Sequence, residues 1–462
     1  MDGWTAIVMG AGKGERMRSA LPKVLHPVAG VPMISHTVRS VKRIDPAPLI
    51  VVTSPDARDA IADALGDDVE FVEQPDPLGT GNALAVAIDQ VPFATRQVLL
   101  TNGDLPLIGE GTIARLVALH LERSAALTLV TATLPAAEAA DFGRLQRGAR
   151  GKPIAIVEAR ETTATETSTI DVNVGMYALD MGWLRGALSD LPHRESGEYY
   201  VTDLVAMAVA DGQRIESLSV DAVDEAIGVN TRRHLAHAEQ AMQTRLRNAA
   251  MDAGVTLIDP ATVYLDATVE LAEDVTVHPN TTIRGTTRIG FGSSVGPNAQ
   301  VIDCTVGDRC TIGSAVLVSA VLEQDVHVGH YSHVRPASYL ESGAFVGTHA
   351  EIKAARIGRD AHVGHFSYVG DAVVGARANI GAGAVTCNYD GTSKHVTVIG
   401  DDAFIGSDSL LVAPVEIGAG AVTGAGSVVI HDVPPGDRVI GVPARPMGPV
   451  APRRSRGDRG DR

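Results

Sequence analysis

The chain has 462 residues, so two or more domains are expected, because a typical domain has roughly 150 residues. Its 39 basic and 55 acidic side chains give a net charge of -16, which excludes a general nucleic-acid-binding protein. Its three cysteines cannot form a disulfide framework, and no apolar run reaches the ~18 residues of a membrane span. We therefore expect a cytoplasmic protein that binds neither nucleic acid nor membranes.

Residues 1–228 alternate short aliphatic runs with helical patterns, and a helix is predicted over residues 81–91. Buried strands are predicted at residues 5–9, 49–53, 98–101 and 127–133. This alternation predicts an α/β domain with a Rossmann-like, mostly parallel sheet. Ligands of such sheets bind at the carboxyl ends of the strands.

The first predicted strand leads directly into a glycine-rich loop, Gly10-Ala11-Gly12-Lys13-Gly14. Arg16 follows the loop, and Lys23 follows Pro22. Glycines let backbone amides approach a polyphosphate, and the two cations would stabilise charge on a transferring phosphoryl group. The spacing predicts a phosphate-binding site.

A helix that links two domains is predicted over residues 229–253, with Gly254 placed to end it. The hydrophobic period then becomes six residues. One run on this period is Val328, Val334, Leu340, Val346 and Ile352. A period of six predicts a hexapeptide-repeat, left-handed parallel β-helix over residues 254–445. Such a narrow prism with tight corners would account for much of the high glycine count, 48 residues, and for the low aromatic content of 4%. The basic residues 446–462 are predicted to be a disordered tail.

Six histidines crowd into residues 327–365 of this repeat: His327, His330, His333, His349, His362 and His365. Stacked positions on adjacent coils are expected to lie 18 residues apart, and no two of these histidines do. A zinc site is therefore disfavoured, and most of them are interpreted as a polar face. A single base is the better fit, because imidazole titrates near neutrality.

The loop motif resembles that of sugar-1-phosphate nucleotidylyltransferases. Other motifs, in chain order, resemble the bifunctional family of N-acetylglucosamine-1-phosphate uridylyltransferases and glucosamine-1-phosphate acetyltransferases. They are Leu78-Gly79-Thr80-Gly81, Asn102-Gly103-Asp104-Leu105-Pro106, Phe142-Gly143-Arg144, Gly228-Val229-Asn230, Gly364-His365-Phe366-Ser367-Tyr368, Asn379-Ile380-Gly381-Ala382-Gly383 and Asn388-Tyr389-Asp390-Gly391.

For the first half, the resemblance implies UMP transfer from UTP with Mg²⁺, with Arg16 and Lys23 as catalytic cations. Asp104 and Asn230 would bind the metal. The implied substrate-binding residues are Met9, Gly10, Ala11, Gly12, Gln74, Gly79, Thr80, Asn102 and Asn230, with Gly143, Glu158 and Asn173 for the sugar. Glu15 departs from the family, which usually has Thr there, and an acid beside a triphosphate should repel it unless it is turned outward.

For the second half, the resemblance implies acetyl transfer from acetyl-CoA, with His365 as the general base. Arg335 and Lys353 would clamp the sugar phosphate. The other implied residues are Tyr368, Asn379, Asn388 and Tyr389 at the sugar or acetyl end, and Ala382, Ser407 and Ala425 along the CoA groove. The family usually has an arginine near the end of the β-helix to meet the CoA phosphates, and either Arg438 or Arg445 would replace it here.

The resemblance implies a bifunctional enzyme that makes UDP-N-acetylglucosamine from small anionic substrates, and a homotrimer. One alternative is a sugar-1-phosphate nucleotidylyltransferase with a purely structural β-helix. Another is a non-catalytic scaffold, which Arg16, Lys23, Asp104 and Asn230 together disfavour. The alternatives differ in whether thiol is released from acetyl-CoA and pyrophosphate from UTP.

Overall fold

The computed structural model describes residues 3–12, 14–136, 139–159, 168–195 and 197–449. Lys13 of the glycine-rich loop and the part of the predicted tail from residue 450 onward lie outside the described residues. The chain forms two compact units, Met1–Met242 and Gln243–Arg462. Each unit has a hydrophobic core of its own.

The first unit is built on one twisted sheet, which confirms the predicted α/β fold. The strand order is β11-β7-β10-β6-β1-β4-β5, with β10 antiparallel to both neighbours, the other pairs parallel, and the β8–β9 hairpin beside β10. The strands are β1 (Trp4–Met9), β2 (Pro27–Val28), β3 (Val31–Pro32), β4 (Leu49–Thr53), β5 (Glu70–Glu73), β6 (Gln97–Asn102), β7 (Leu127–Pro135), β8 (Arg144–Arg147), β9 (Pro153–Val157), β10 (Thr169–Asp180) and β11 (Ile215–Ser219). β2 and β3 form a separate ribbon.

Helices cover this sheet through apolar faces that pack into its buried strands. These helices are α1 (Met33–Lys42), α2 (Arg58–Leu65), α3 (Thr80–Ile88), α4 (Glu110–Arg123), α5 (Met181–Ser189) and α6 (Asp203–Ala210), and α7 (Arg232–Asp252) follows them in the chain. α3 ends three residues before the predicted end, close to Pro92, which disfavours helical backbone before it. The division between the units falls within α7, after Met242.

The second unit is a left-handed parallel β-helix of three stacked sheets, as predicted. The first contains Thr256–Leu257, Thr276–Val277, Ser294–Val295, Thr311–Ile312, His327–Val328, Phe345–Val346, His362–Val363, Asn379–Ile380, Phe404–Ile405, Val422–Thr423, Asp437–Gly441 and Ala444–Pro449. The second contains Tyr264–Leu265, Thr282–Arg284, Gln300–Ile302, Val316–Val318, His333–Val334, Glu351–Lys353, Tyr368–Gly370, Val385–Cys387, Leu410–Val412 and Val428–Val429. The third contains Glu270–Leu271, Arg288–Ile289, Thr305–Val306, Val321–Leu322, Tyr339–Leu340, Arg356–Ile357, Ala372–Val374, Thr397–Ile399 and Val415–Ile417.

The coils of this β-helix differ in length, so the expected constant spacing of 18 residues is wrong. The step from Val328 to its stacked partner Val346 is 18 residues, and the next step, to Val363, is 17. The reason is that a corner can be one residue shorter and still turn the chain, as between Ile352 and Ile357. A longer coil also carries an inserted loop, residues 388–396, between two strands.

The ordered chain continues past Arg445, where the sequence placed the start of the tail. Strand Ala444–Pro449 pairs with Asp437–Gly441 in an antiparallel hairpin. The prediction of disorder is therefore wrong for residues 446–449, because part of their backbone is held by pairing to the hairpin's other strand. In the described part of the chain, no helix is both long and apolar enough to cross a membrane.

Candidate active sites

The predicted phosphate-binding loop begins where the two central strands of the first unit end. Met9 at the end of β1 lies beside Asn102 at the end of β6. The Gly103 N–H donates to the Met9 carbonyl at 2.9 Å, and the Gly10 N–H donates to the Val52 carbonyl at 2.8 Å. A Cβ on Gly10 would lie 3.2 Å from that same carbonyl oxygen. The strands thus bring the loop and the Gly-Asp segment to one edge of the sheet.

Lys23, Asp104 and Asn230 form a cluster at this edge. The Lys23 Nζ donates to Asp104 Oδ2 at 2.5 Å and to Asn230 Oδ1 at 3.1 Å. The Val229 N–H donates to the Asp104 carbonyl at 3.0 Å, which fixes the segment that carries Asn230. Two side-chain oxygens therefore converge on one cation.

This donor set fits Mg²⁺, a hard cation that takes oxygen ligands and shares itself with substrate phosphates. The carboxylate of Asp104 is only 10% exposed and the ammonium of Lys23 only 14% exposed, so both charges are largely removed from water. The two residues that the sequence assigned to metal binding are thus brought together, with the predicted catalytic lysine between them.

Gly14 makes room for that lysine. A Cβ at Gly14 would lie 2.5 Å from the Lys23 Cβ, and the φ angle of Gly14, +65°, also favours glycine. Glu15 and Arg16 follow in a short 3-10 helix, and both side chains are exposed. The acid that the sequence flagged as unfavourable for a triphosphate is thus turned toward solvent.

The predicted uridine-binding residues lie on the segment before and at the start of α3. Gln74 is buried, and its Nε2 donates to the Gly79 carbonyl at 3.0 Å and to Asn82 Oδ1 at 2.8 Å. A Cβ on Gly79 would lie 2.5 Å from the Tyr199 carbonyl oxygen. Thr80 Oγ1 accepts from the Val201 N–H at 3.1 Å. Packing against residues 199–201 therefore fixes this segment.

The three predicted sugar-binding residues also lie together. The Asn173 N–H donates to the Gly143 carbonyl at 2.9 Å, and a Cβ on Gly143 would lie 3.9 Å from Glu158 Oε2. Thr202 donates to Glu158 Oε1 at 2.6 Å, and Asn173 Nδ2 donates to the Tyr177 hydroxyl at 2.6 Å. Burial raises the pKa of Tyr177, so its hydroxyl stays protonated.

In the β-helix, acids hold both of the predicted phosphate-clamping cations. Arg335 Nη1 donates to Glu351 Oε1 at 2.8 Å, and Lys353 Nζ donates to both carboxylate oxygens of Asp371 at 2.8 Å. These hydrogen bonds raise the pKa of Arg335 and of Lys353. Asn388 completes the cluster, since its Nδ2 donates to Asp371 and, at 3.3 Å, to the Tyr368 hydroxyl.

His365 lies at a corner of the β-helix, in one column with the predicted CoA-groove residues. A Cβ on Gly364 would lie 2.6 Å from the Ala382 nitrogen, which stacks Ala382 on the His365 corner. On the next coils, a Cβ on Gly381 would lie 2.5 Å from the Ser407 nitrogen, and a Cβ on Gly406 would lie 2.5 Å from the Ala425 nitrogen. His365, Ala382, Ser407 and Ala425 therefore follow one another along the prism.

Two predicted residues lie apart from these contacts. Asn379 lies on the first sheet, paired with His362, and Tyr389 lies on the inserted loop with its hydroxyl donating to the Gly391 carbonyl at 2.6 Å. Within the described residues, neither of them makes a hydrogen bond to the His365 ring.

The two arginines that were predicted as possible ligands of the CoA phosphates, Arg438 and Arg445, lie on the final hairpin and are exposed. Arg445 is directly opposite Ile440 in the hairpin, and Arg438 lies two residues before Ile440 on the same strand. Side chains in these positions share one face of a sheet. A Cβ on Gly424 would lie 2.6 Å from Ile440 Cγ1. The face of the hairpin that carries the two arginines therefore lies against Gly424, the residue before Ala425, at the end of the column that starts at His365.

Comparison with known proteins agrees with the division into two units of different fold. A family model described as "MobA-like NTP transferase domain" matches residues 6–162, and one described as "Bacterial transferase hexapeptide (six repeats)" matches residues 397–431. The bifunctional protein GlmU of Trichlorobacter lovleyi is 39% identical over 94% of this chain and 95% of its own. Those of Streptococcus agalactiae and Pelobacter propionicus are 37% and 38% identical over 94% and 95% of this chain, and 95% and 96% of their own.

The chain belongs to the GlmU family. It is a bifunctional transferase, with a nucleotidyltransferase unit followed by a hexapeptide-repeat acyltransferase unit.

Sequence reasoning gave no role to several residues that hold the predicted ones, namely Tyr177, Thr202, Glu351 and Asp371. The contact of Asp371 with Lys353 could have been predicted, because the two residues are 18 apart in sequence, which is about the length of one coil of the β-helix. The pairing of Thr202 with Glu158 had none, since 44 residues separate them and only the folded sheet brings them together.

Proposed function

We propose that the chain catalyses two consecutive steps on an amino-sugar phosphate. The second unit transfers acetyl from acetyl-CoA to glucosamine 1-phosphate. The first unit transfers UMP from UTP to the resulting N-acetylglucosamine 1-phosphate, giving UDP-N-acetylglucosamine and pyrophosphate. The observation that carries the proposal is the full-length similarity to GlmU proteins together with a polar cluster in each unit at the positions that the family motifs mark.

In the first unit, Asp104 and Asn230 would hold Mg²⁺, which neutralises phosphate charge when bound. The loop after β1 binds the triphosphate through its backbone amides, and Arg16 and Lys23 stabilise the charge that develops on the α-phosphate. The phosphate oxygen of the sugar forms the new bond to that phosphorus as the bond to pyrophosphate breaks. Gly143, Glu158 and Asn173 orient the sugar for this in-line attack.

In the second unit, Arg335 and Lys353 bind the sugar phosphate, and their pairing with Glu351 and Asp371 keeps both side chains oriented before the substrate arrives. The amine of the sugar attacks the thioester carbonyl, and the carbon–sulfur bond breaks. His365 takes the amine proton at Nε2, and the CoA sulfur leaves as a thiolate. Tyr368, Asn379, Asn388 and Tyr389 contact the sugar or acetyl end, and CoA lies along Ala382, Ser407 and Ala425.

Two separate assays of the purified chain with Mg²⁺ test this proposal. One supplies glucosamine 1-phosphate and acetyl-CoA and follows free thiol. The other supplies N-acetylglucosamine 1-phosphate and UTP and follows pyrophosphate. We expect both products. Pyrophosphate without thiol would favour the alternative of a structural β-helix, and neither product would favour a scaffold.

We also propose that the enzyme is a cytoplasmic homotrimer. The free thiols of Cys304, Cys310 and Cys387 fit a reducing compartment. The support for an oligomer is that exposed aliphatic side chains lie next to one another on the faces of the β-helix, as Val373 and Val398 do on adjacent coils, since contiguous apolar surface marks interaction sites. Leu410 and Val412 on the second sheet are exposed as well. Sedimentation equilibrium of the purified chain tests the trimer, and a monomer at assay concentrations would contradict it.

A further inference from the structure

The His365 ring meets two polar atoms of one residue, Thr348, on the preceding coil. The Thr348 N–H donates to His365 Nδ1 at 2.9 Å, and Thr348 Oγ1 lies 3.0 Å from the same nitrogen. The ring packs on Gly347, where a Cβ would lie 2.8 Å from Nδ1. Nδ1 therefore faces an obligate donor and a hydroxyl that can either donate or accept.

These two contacts favour different forms of the neutral imidazole. The Thr348 N–H needs a lone pair on Nδ1, which puts the ring proton on Nε2. A ring protonated at Nε2 cannot take a proton there. The form that can act as a base at Nε2 carries its proton on Nδ1, and that proton needs an acceptor, for which Thr348 Oγ1 is in hydrogen-bond range.

We infer that Thr348 is a positioning residue for acetyl transfer, whose hydroxyl accepts from His365 Nδ1–H and so stabilises the ring form with a free Nε2 lone pair. This inference rests on the proposed role of His365 as the base. During the step the amine proton moves to Nε2, and the resulting imidazolium keeps its Nδ1–H bonded to the Thr348 hydroxyl. The hydroxyl can thus accept from Nδ1–H both before and after the proton transfer, whereas the hydrogen bond from the Thr348 N–H to Nδ1 is given up in both of these states.

The test compares Thr348→Val, which keeps the shape and removes the hydroxyl, with Thr348→Ser, which keeps the hydroxyl and removes a methyl group. We expect Thr348→Val to lower kcat for thiol release about tenfold with KM for acetyl-CoA changed less than about twofold, and Thr348→Ser to stay near the wild type. Ser314→Ala is the matched control, because Ser314 makes the same two contacts to His330 at 3.0 and 3.1 Å. It should leave acetyl transfer unchanged.

Equal activity of Thr348→Val and the wild type would overturn the inference. Equal losses of activity in Thr348→Val and Thr348→Ser would also overturn it, because a change in side-chain shape alone would then explain both losses. His365→Ala in the same assay separates this from failure of the proposed base. If His365→Ala keeps its thiol release, the role of His365 itself is wrong. If His365→Ala is inactive and Thr348→Val is fully active, only the role of Thr348 is wrong.

Discussion

His330 and His365 occupy the same corner of the β-helix two coils apart, and each ring is held in the same way. Each Nδ1 accepts from a backbone N–H on the coil before it, Ser314 for His330 and Thr348 for His365, at 3.0 and 2.9 Å. Local geometry therefore does not distinguish the two histidines. Their surroundings along the prism do, because only His365 is followed directly by the Ala382, Ser407 and Ala425 column.

This duplication provides a matched pair of variants for the base assignment. We expect His365→Ala to lose thiol release by about a hundredfold or more, the usual contribution of a general base. His330→Ala removes an equally placed ring and should keep nearly full activity. Both variants should release pyrophosphate normally from N-acetylglucosamine 1-phosphate and UTP. Similar losses of thiol release in the two variants would contradict the role given to His365.

Much of the fold was predictable because it depends on short-range periodicity. The run from Val328 to Ile352 repeats every six residues, and each of these side chains is fully buried in the prism. Strand β4 matches its predicted bounds because an uninterrupted aliphatic run marks a buried strand. The constant coil length was wrongly expected, although the five-residue step from Ile352 to Ile357 marks a shorter corner in the sequence itself.

The sequence pointed to candidate site residues but not to their contacts. Lys23 and Asp104 are 81 residues apart, and Lys23 and Asn230 are 207 apart. Their meeting depends on the order of strands in the sheet, which the local pattern does not contain. The family motifs therefore pointed to candidate residues, whereas only the fold places the lysine ammonium between the side-chain oxygens of Asp104 and Asn230.

That placement predicts competition between Lys23 and a metal ion in the absence of nucleotide. Removing the ammonium leaves a largely buried carboxylate without its cation, so Lys23→Met should bind Mn²⁺ about tenfold more tightly than the wild type. Titration calorimetry of the nucleotide-free chain measures this affinity. Lys42→Met, which removes a lysine from an exposed pair with Asp68, is the control and should not change it.

Asp104→Asn distinguishes the two ways in which this prediction can fail. If it weakens Mn²⁺ binding while Lys23→Met has no effect, the metal site stands and the competition does not. If Asp104→Asn leaves Mn²⁺ affinity unchanged both in the wild type and in the Lys23→Met variant, the metal assignment itself is contradicted.

Asp371 provides a test of preorganisation in the second site. Its carboxylate holds Lys353 and Asn388, and these hydrogen bonds outweigh desolvation and lower its pKa. Asp371→Asn should raise KM for glucosamine 1-phosphate about tenfold and leave KM for acetyl-CoA nearly unchanged. Asp402→Asn, which disrupts an exposed pair with Arg377 on the same β-helix, is the control. A rise in KM for acetyl-CoA alone would argue against this role.

His120 makes the stability of the first unit depend on pH. Burial lowers its pKa from 6.5 to about 4, although Asp180 partly opposes this, and the ring bonds to Thr128 and Gln97. Between these values the unfolded chain binds a proton that the folded chain does not. The free energy of unfolding should therefore fall as pH drops from 6.5 to about 4, by up to about 3 kcal/mol.

Trp4 reports this change, because it is buried with its ring centre 5.9 Å from that of His120. Trp183→Phe leaves Trp4 as the sole tryptophan, and its fluorescence then follows urea unfolding at pH 7 and pH 5. The His120→Gln variant in this background should lose less stability between the two pH values. An equal loss with and without His120 would show that other groups cause the dependence.

The central claim is that one chain joins both steps, and transfer of a labelled acetyl group tests it most directly. The purified chain receives glucosamine 1-phosphate, UTP, Mg²⁺ and acetyl-CoA labelled in the acetyl group, and the UDP-linked product is isolated. We predict that the label appears in UDP-N-acetylglucosamine. Label that stays on CoA, while added N-acetylglucosamine 1-phosphate still yields pyrophosphate, would contradict the claim.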